Sequence, residues 1–253
     1  LTGDNYLQYT SDNQNRSMQL FFISRVDSEV CTLSDEESWH CMKVLRLREG
    51  DEVDLTDGSG NFYHGILTKI QHKACQVTIS EVRPVLSDTW RLHIAIAPTR
   101  SIDRFEWFLE KATEIGISEI TPLFCEHSGR DVLKLQRLEK VLVSAMKQSL
   151  KTWLPKLNEP ARFRNFISRD FHGQKFIAYC ETGDESELQH LYLPDSDVLI
   201  LIGPEGDFSK TEILQALETG FTPVSLGSSR LRTETAGIVA CHTITLLNRL
   251  KRQ

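Results

Sequence analysis

Residues 198–212 read VLILIGPEGDFSKTE. Five aliphatic residues in succession, Val198 to Ile202, make a strand apolar on both faces, as strands inside a covered parallel sheet are. The run stops at Gly203-Pro204-Glu205-Gly206, and a helix-like stretch begins a few residues later. In open α/β sheets a ligand sits beyond the carboxyl ends of the strands, where such a loop would meet it. Glycine lets the backbone come close to a ligand, and proline fixes the loop's shape while removing a donor. Taken alone, Gly-Pro-Glu-Gly reads by default as a plain turn.

Working outward, strands and helices alternate from Arg91 onward. RLHIAIA (91–97) is a strand and PTRS a turn. DRFEWFLEKATEIG (103–116) is a helix with Asp103 and Glu106 at its start, Phe105, Phe108, Leu109 and Ala112 at helical spacing, and Gly116 to end it. EITPLFC (119–125) is a strand, and KLQRLEKVLVSAMKQSL (134–150) a helix with Leu135, Leu138, Leu142 and Ala145 on one face. KFIAYCE (175–181) and PVSLG (223–227) are further strands. TETAGIVACHTITLLNRL (233–250) is a closing helix that Thr233 or Thr235 can cap, and Ala236, Gly237 and Ala240 keep its first turns slim. The pattern predicts a parallel α/β sheet covered on both faces.

Residues 18–82 have a different texture. MQLFFI, DEVDLTD, GNFYHGILTKI and ACQVTISEV are short strand-like runs separated by Gly-Asp and Asp-Gly-Ser-Gly turns. Between them lies a helix-like SDEESWHCMKVLRL whose Ser34 stands three before Glu37, as in a capping box. This predicts a small β-barrel-like module, with RPVLSDTW (83–90) as a short linker. The polar stretch 1–17 reads as a tail, with Met18 as the natural start.

The chain has 253 residues, 40% hydrophobic and 25% charged, the balance of a soluble globular protein. No apolar stretch approaches the roughly 20 residues of a membrane span. Six scattered cysteines without a C-x-x-C predict reduced thiols in a cytosol, and eight histidines show no paired ligand spacing, so no metal site is expected. The net charge of −6 hides local basic surface: residues 221–253 carry five basic side chains against one acidic, and 161–180 four against one.

General motifs fail: there is no G-x-x-x-x-G-K-[ST], no G-x-G-x-x-G after a strand and no G-x-S-x-G. The combined pattern is more specific. LIGPEGDFSKTE, followed some fifteen residues on by LGSSRLRTETAGIVA, resembles the RsmE family of rRNA uridine methyltransferases in the SPOUT superfamily. HCMKVLRLREGDEVDLTDGSG, EKATEIGISEITPL and KQS with LP (147–155) agree, so the resemblance runs from about Met18 to the C-terminus. Three departures stand out. Asp207 replaces the last glycine of the family's Gly-Pro-Glu-Gly-Gly, His127 stands where the family has the arginine of Glu-Arg-Ser, and MQLFF lacks the early basic residue.

The resemblance implies a PUA-like RNA-binding domain over 18–84 and a SPOUT domain with a trefoil knot over 85–253. It also implies a cytoplasmic homodimer that uses S-adenosyl-L-methionine to methylate N3 of a uridine in small-subunit (16S) rRNA. Ile202, Gly203, Pro204, Glu205 and Gly206 would form one wall of the cofactor pocket, and Leu226, Gly227, Leu231, Arg232, Thr235 and Ala236 the other. Uridine N3 carries a proton at neutral pH, so an acceptor and an anion-stabilising group help. Arg232 is the candidate to stabilise charge on the uracil oxygens, or an ordinary phosphate or carboxylate partner. Glu234 or Glu205 is the candidate proton acceptor, and Arg100 and Arg230 are candidate phosphate contacts. Lys111 with Glu114 reads as a surface pair, and Cys125 with His127 as structural. A ribose 2′-O or other base methyltransferase, or a non-catalytic RNA-binding assembly protein, are the alternative readings.

Overall fold

The computed structural model describes residues 19–252 except 25, 27, 72 and 180–185; the 1–17 tail, Met18 and Cys180 fall outside them. The chain divides into two compact units, one ending at Val85 and the other beginning at Leu86.

The first unit is a five-stranded sheet in the order β1-β3-β4-β5-β2, with β1 Leu20–Phe22, β2 Val30–Thr32, β3 Glu52–Thr56, β4 Asn61–Lys69 and β5 Gln76–Pro84. Only β1 and β3 pair in parallel. The Asp-Gly-Ser-Gly turn is held by Asp57, whose carboxylate accepts from Ser59 N at 2.8 Å, Asn61 Nδ2 at 2.7 Å and the Tyr63 hydroxyl at 2.9 Å. Phe21, Leu33, Leu55, Leu67 and Val77 fill the core. Ser34 caps helix Asp35–Trp39 through Glu37 N, but Glu37 Oε1 accepts from Phe22 N, 3.3 Å away; the reciprocal box is built instead by Ser209 and Glu212. β5 runs two residues into the stretch read as a linker, with Arg83 opposite Phe62 and Pro84 opposite Asn61. Proline is tolerated there because it ends the strand.

The second unit carries the parallel sheet. Its strands are β6 Leu92–Ile96, β7 Glu119–Phe124, β8 Lys156–Leu157, β9 Ala161–Arg162, β10 Gln174–Ala178, β11 Val198–Ile202 and β12 Thr222–Val224. The order is β12-β10-β11-β6-β7-β8, with β9 also on β7, and every pairing is parallel. Every residue of β6 and β11 is buried, as the apolar runs require. Their alternate side chains feed two cores. Leu92, Ile94, Ile96, Val198, Ile200 and Ile202 pack with the helices Ile102–Ile115, Leu135–Gln148 and Thr233–Lys251. Ala95, Leu199 and Leu201 pack with Phe163, Phe166, Ile213 and Ala216 of helices Phe163–Ile167 and Lys210–Glu218.

Gly237 marks the tightest contact of the first core. A Cβ there would lie 2.6 Å from a Phe108 ring carbon and 2.9 Å from Ile96 Cδ1, so the slim first turns read from the sequence serve close packing. On the other face His93 is buried, its Nε2 2.8 Å from Thr121 Oγ1 and its ring edge-on to Phe166. Burial pushes its pKa down to about 4 against the opposing field of Glu119.

Candidate active site

The chain proceeds from β6 to one side of the sheet and later returns to the other, so β6 and β11 are neighbours whose following loops lead to opposite sides. That junction is where open parallel sheets bind ligands. The loop after β11 is shaped by its own sequence. A Cβ on Gly203 would come within 3.1 Å of the Phe208 ring, and one on Gly206 within 3.1 Å of His127 Cβ. Asp207 N donates to Pro204 O at 2.9 Å and closes the turn. Asp207 itself has φ 62°, the left-handed conformation that glycine adopts most easily. Its carboxylate offsets part of that cost by accepting from Phe208 N at 2.7 Å.

Two side chains fasten this loop to its neighbours. Glu205 Oε1 accepts from Arg100 N at 2.9 Å, joining the loops after β11 and β6. Thr233 Oγ1 donates to Gly203 O at 3.0 Å, joining the loop to the first turn of the last helix. This corrects the expected cap. The helix N-cap is Arg232, without a side-chain hydrogen bond, because the Thr233 hydroxyl is directed across to Gly203 and Thr235 lies within the helix.

The second loop, 225–232, is held by Ser225, whose Oγ donates to Gly227 O at 3.1 Å and accepts from Gly227 N at 3.2 Å. Gly227 has φ +114°, and a Cβ there would meet nothing within 4 Å. Leu226 and Ala236 pack on the first core, Leu231 is half-buried and Arg230 is exposed.

Arg232, Glu234 and Thr235 come together on a cavity of about 330 Å³, with Asp103, Arg104 and Trp107 opposite them on helix Ile102–Ile115. Glu234 is 6% exposed. Its Oε1 lies 3.8 Å from Arg104 Nε, and its buried Oε2 has no hydrogen-bond partner among the described residues. Asp103, Arg104 and Trp107 were not singled out as site residues from sequence. Trp107 carried a signal nonetheless: it is an aromatic off the apolar Phe105-Phe108-Leu109-Ala112 stripe, and it is 43% exposed.

The other candidates are placed apart from this cavity's lining. Glu205 braces the loop through Oε1, while its Oε2, like that of Glu234, is buried without a hydrogen-bond partner among the described residues. Arg100 is exposed; its carbonyl accepts from Arg130 Nη2 at 2.9 Å, and its side chain crosses Gly129. Lys111 pairs with Glu110 at 2.7 Å and Glu114 at 2.9 Å, an ordinary helix-surface cluster. Cys125 lies just past the end of β7 and His127 in the turn beyond it. His127 Nδ1 is 3.0 Å from Asp207 O, whereas the buried Cys125 thiol donates to Leu123 O, and burial raises its pKa. They act separately. Among the described residues no group of three or more His, Cys, Asp or Glu side chains could hold a metal ion, and no helix is long and apolar enough to cross a membrane.

Comparison with known proteins decides the family. Residues 86–245 match the RNA methyltransferase domain, and residues 33–80 match the RNA methyltransferase PUA domain. The ribosomal RNA small subunit methyltransferase E of Synechocystis is 31% identical over 224 residues, 85% of this chain and 73% of the relative. This chain belongs to the small-subunit rRNA methyltransferase E family. A crystal structure of a probable rRNA methyltransferase from Porphyromonas gingivalis superposes with a TM-score of 0.85 at 41% identity, covering 92% of this chain and all (100%) of that one. The methyltransferase E of Neisseria gonorrhoeae, solved bound to S-adenosyl methionine, superposes with a TM-score of 0.77 at 26% identity, covering 91% and 98%. The family accounts for the α/β fold with its PUA-like companion.

Proposed function

We propose that the protein uses S-adenosyl-L-methionine to methylate N3 of a uridine in small-subunit (16S) rRNA. The observation that carries this reading is the partnerless, buried Glu234 carboxylate oxygen beside Arg232, at the end of two loops that suit a cofactor. Those loops fit an adenosyl group on physical grounds: Gly227 leaves its side-chain space free, and the half-buried Leu226, Leu231 and Ala236 offer apolar surface, with Ile202 buried beneath them at the end of β11. Gly203, Pro204, Glu205 and Gly206 form the facing wall, and Arg232 and Thr235 lie where the second wall meets the cavity. When bound, S-adenosylmethionine supplies a methyl group on a sulfonium sulfur, which departs as a neutral thioether.

The protein's own residues supply positioning and proton handling. Glu234 accepts the proton that N3 must lose, and Arg232 stabilises negative charge on the uracil oxygens. The base is unpaired or flipped out before N3 is reachable. Arg100 and Arg230, both exposed on loops, contact phosphates, and residues 18–84 hold RNA while 85–253, with the knot the family implies, carry out transfer. The working form is a cytoplasmic homodimer, for which exposed Leu246 and Leu250 on the last helix provide apolar surface.

The test is incubation with S-adenosylmethionine and small subunits lacking the modification, followed by mass spectrometry of the digested rRNA. An enzyme-dependent 3-methyluridine peak is expected. A different methylated nucleoside, or none from folded protein and competent subunits, overturns the assignment.

A further inference from the structure

The cavity beside Glu234 has a chemical pattern of its own. A buried carboxylate oxygen without a donor is costly to a folded protein, and the cost is relieved when a ligand brings an N–H to it. Glu234 Oε2 is such an oxygen, on a residue 6% exposed in the lining of a cavity of about 330 Å³. Arg104 and Arg232, in the same lining, carry guanidinium groups, which can only donate. Asp103, also in the lining, is exposed and turned to Arg137 at 3.6 Å, so Arg104, Glu234 and Arg232 are left to offer a donor, an acceptor and a donor. Trp107 adds a half-exposed aromatic surface, and such surfaces stack bases of any kind.

We infer that this cavity receives the target base, that Glu234 with Arg104 and Arg232 reads its imide edge, and that Trp107 stacks on its face. This rests on the function proposed above and assigns Arg104 and Trp107 to substrate recognition. Uracil presents a carbonyl, an N–H and a carbonyl along its pairing edge, the complement of donor, acceptor and donor. Cytosine places an unprotonated ring nitrogen where the carboxylate needs a donor. A methyl group on N3 removes the donor and sets carbon against the carboxylate, so the product fits less well than the substrate. The cavity lies at the small end of ligand pockets, which suits one base rather than a run of nucleotides.

The test uses the full-length chain and unmodified small subunits, with cofactor affinity measured separately by calorimetry. Trp107→Ala and Arg104→Ala are expected to lower kcat/KM for subunits by about tenfold or more while cofactor affinity stays within about twofold, and Trp107→Phe to restore most of the loss. Glu234→Gln is expected to lower kcat by about a hundredfold or more. Subunits already carrying the methyl group are expected to inhibit the wild type weakly. If wild type makes 3-methyluridine and the Trp107 and Arg104 variants work within about threefold of it, the cavity inference falls and the function stands. If wild type makes another nucleoside, the function itself has failed and takes the imide reading with it. If Trp107→Ala loses activity together with a change of oligomeric state in sedimentation, a second copy covers the cavity, and the inference is overturned.

Discussion

Replacing Thr233 by valine changes one hydroxyl into a methyl group of nearly the same size. In the structure that hydroxyl donates to Gly203 O at 3.0 Å, and Thr233 is 5% exposed. Valine therefore leaves a buried carbonyl without this donor, which costs about 1–3 kcal/mol where water cannot replace it. The cavity and volume terms are close to zero because the side-chain shapes match, so the whole effect is assigned to the hydrogen bond. The same bond anchors the loop after β11 to the last helix, so the variant also loosens one wall of the proposed cofactor pocket. Urea unfolding is expected to show a lower midpoint with an unchanged slope, and calorimetry a weaker affinity for S-adenosylhomocysteine. Thr233→Ser keeps the hydroxyl and is expected to recover most of both losses. A valine variant within about 0.3 kcal/mol of wild type, with unaltered affinity, would refute the claim that this bond organises the site.

Three other outcomes follow from the packing and the backbone. Gly237→Ala gains roughly 1 kcal/mol of helix propensity but forces a methyl group against Phe108 and Ile96; overpacking by about 1–3 kcal/mol is expected to win, read as a lower Tm. Asp207→Ala at φ 62° loses the carboxylate bond to Phe208 N and is expected to cost about 1 kcal/mol, whereas Asp207→Gly removes the left-handed strain and restores much of that in the same melt. His93 has a folded pKa of about 4 against an ordinary 6.5, so its neutral form is favoured by folding. Its contribution is complete above about pH 6.5 and is lost as pH falls toward 4, by roughly 2–3 kcal/mol. Urea midpoints across that range are expected to fall less steeply in His93→Asn, and equal slopes would count against a buried neutral imidazole.

The covered sheet was legible because β6 and β11 are apolar at every position, and the long helices because their stripes exceed three turns. β8, β9 and the helices Phe163–Ile167 and Leu188–Leu191 escaped notice because two to five residues are too few for an apolar pattern to repeat. Of the site, Arg232, Glu234 and Thr235 were found through a motif on one continuous segment. Arg104 and Trp107 were not, since they reach the same cavity from a helix some 130 positions earlier, and only the sheet order brings the two helices together. Thr233 shows a different limit. A threonine before a helix is ordinarily a cap, and nothing in the local sequence reveals that its hydroxyl has a stronger claim on a carbonyl thirty residues away.

The central pairing of the parallel sheet has a consequence for how the protein comes into being. β6, at 92–96, takes β11, at 198–202, as its neighbour, and the cavity needs the helix that begins at Thr233. The pairings of the first sheet are all complete by residue 84. During synthesis, then, the PUA-like module has every strand it needs while the strand destined for the middle of the catalytic sheet still waits for its partner. Contacts so distant in sequence close slowly. The newborn chain completes the module proposed to hold RNA well before it completes the sheet on which the proposed methyl transfer depends.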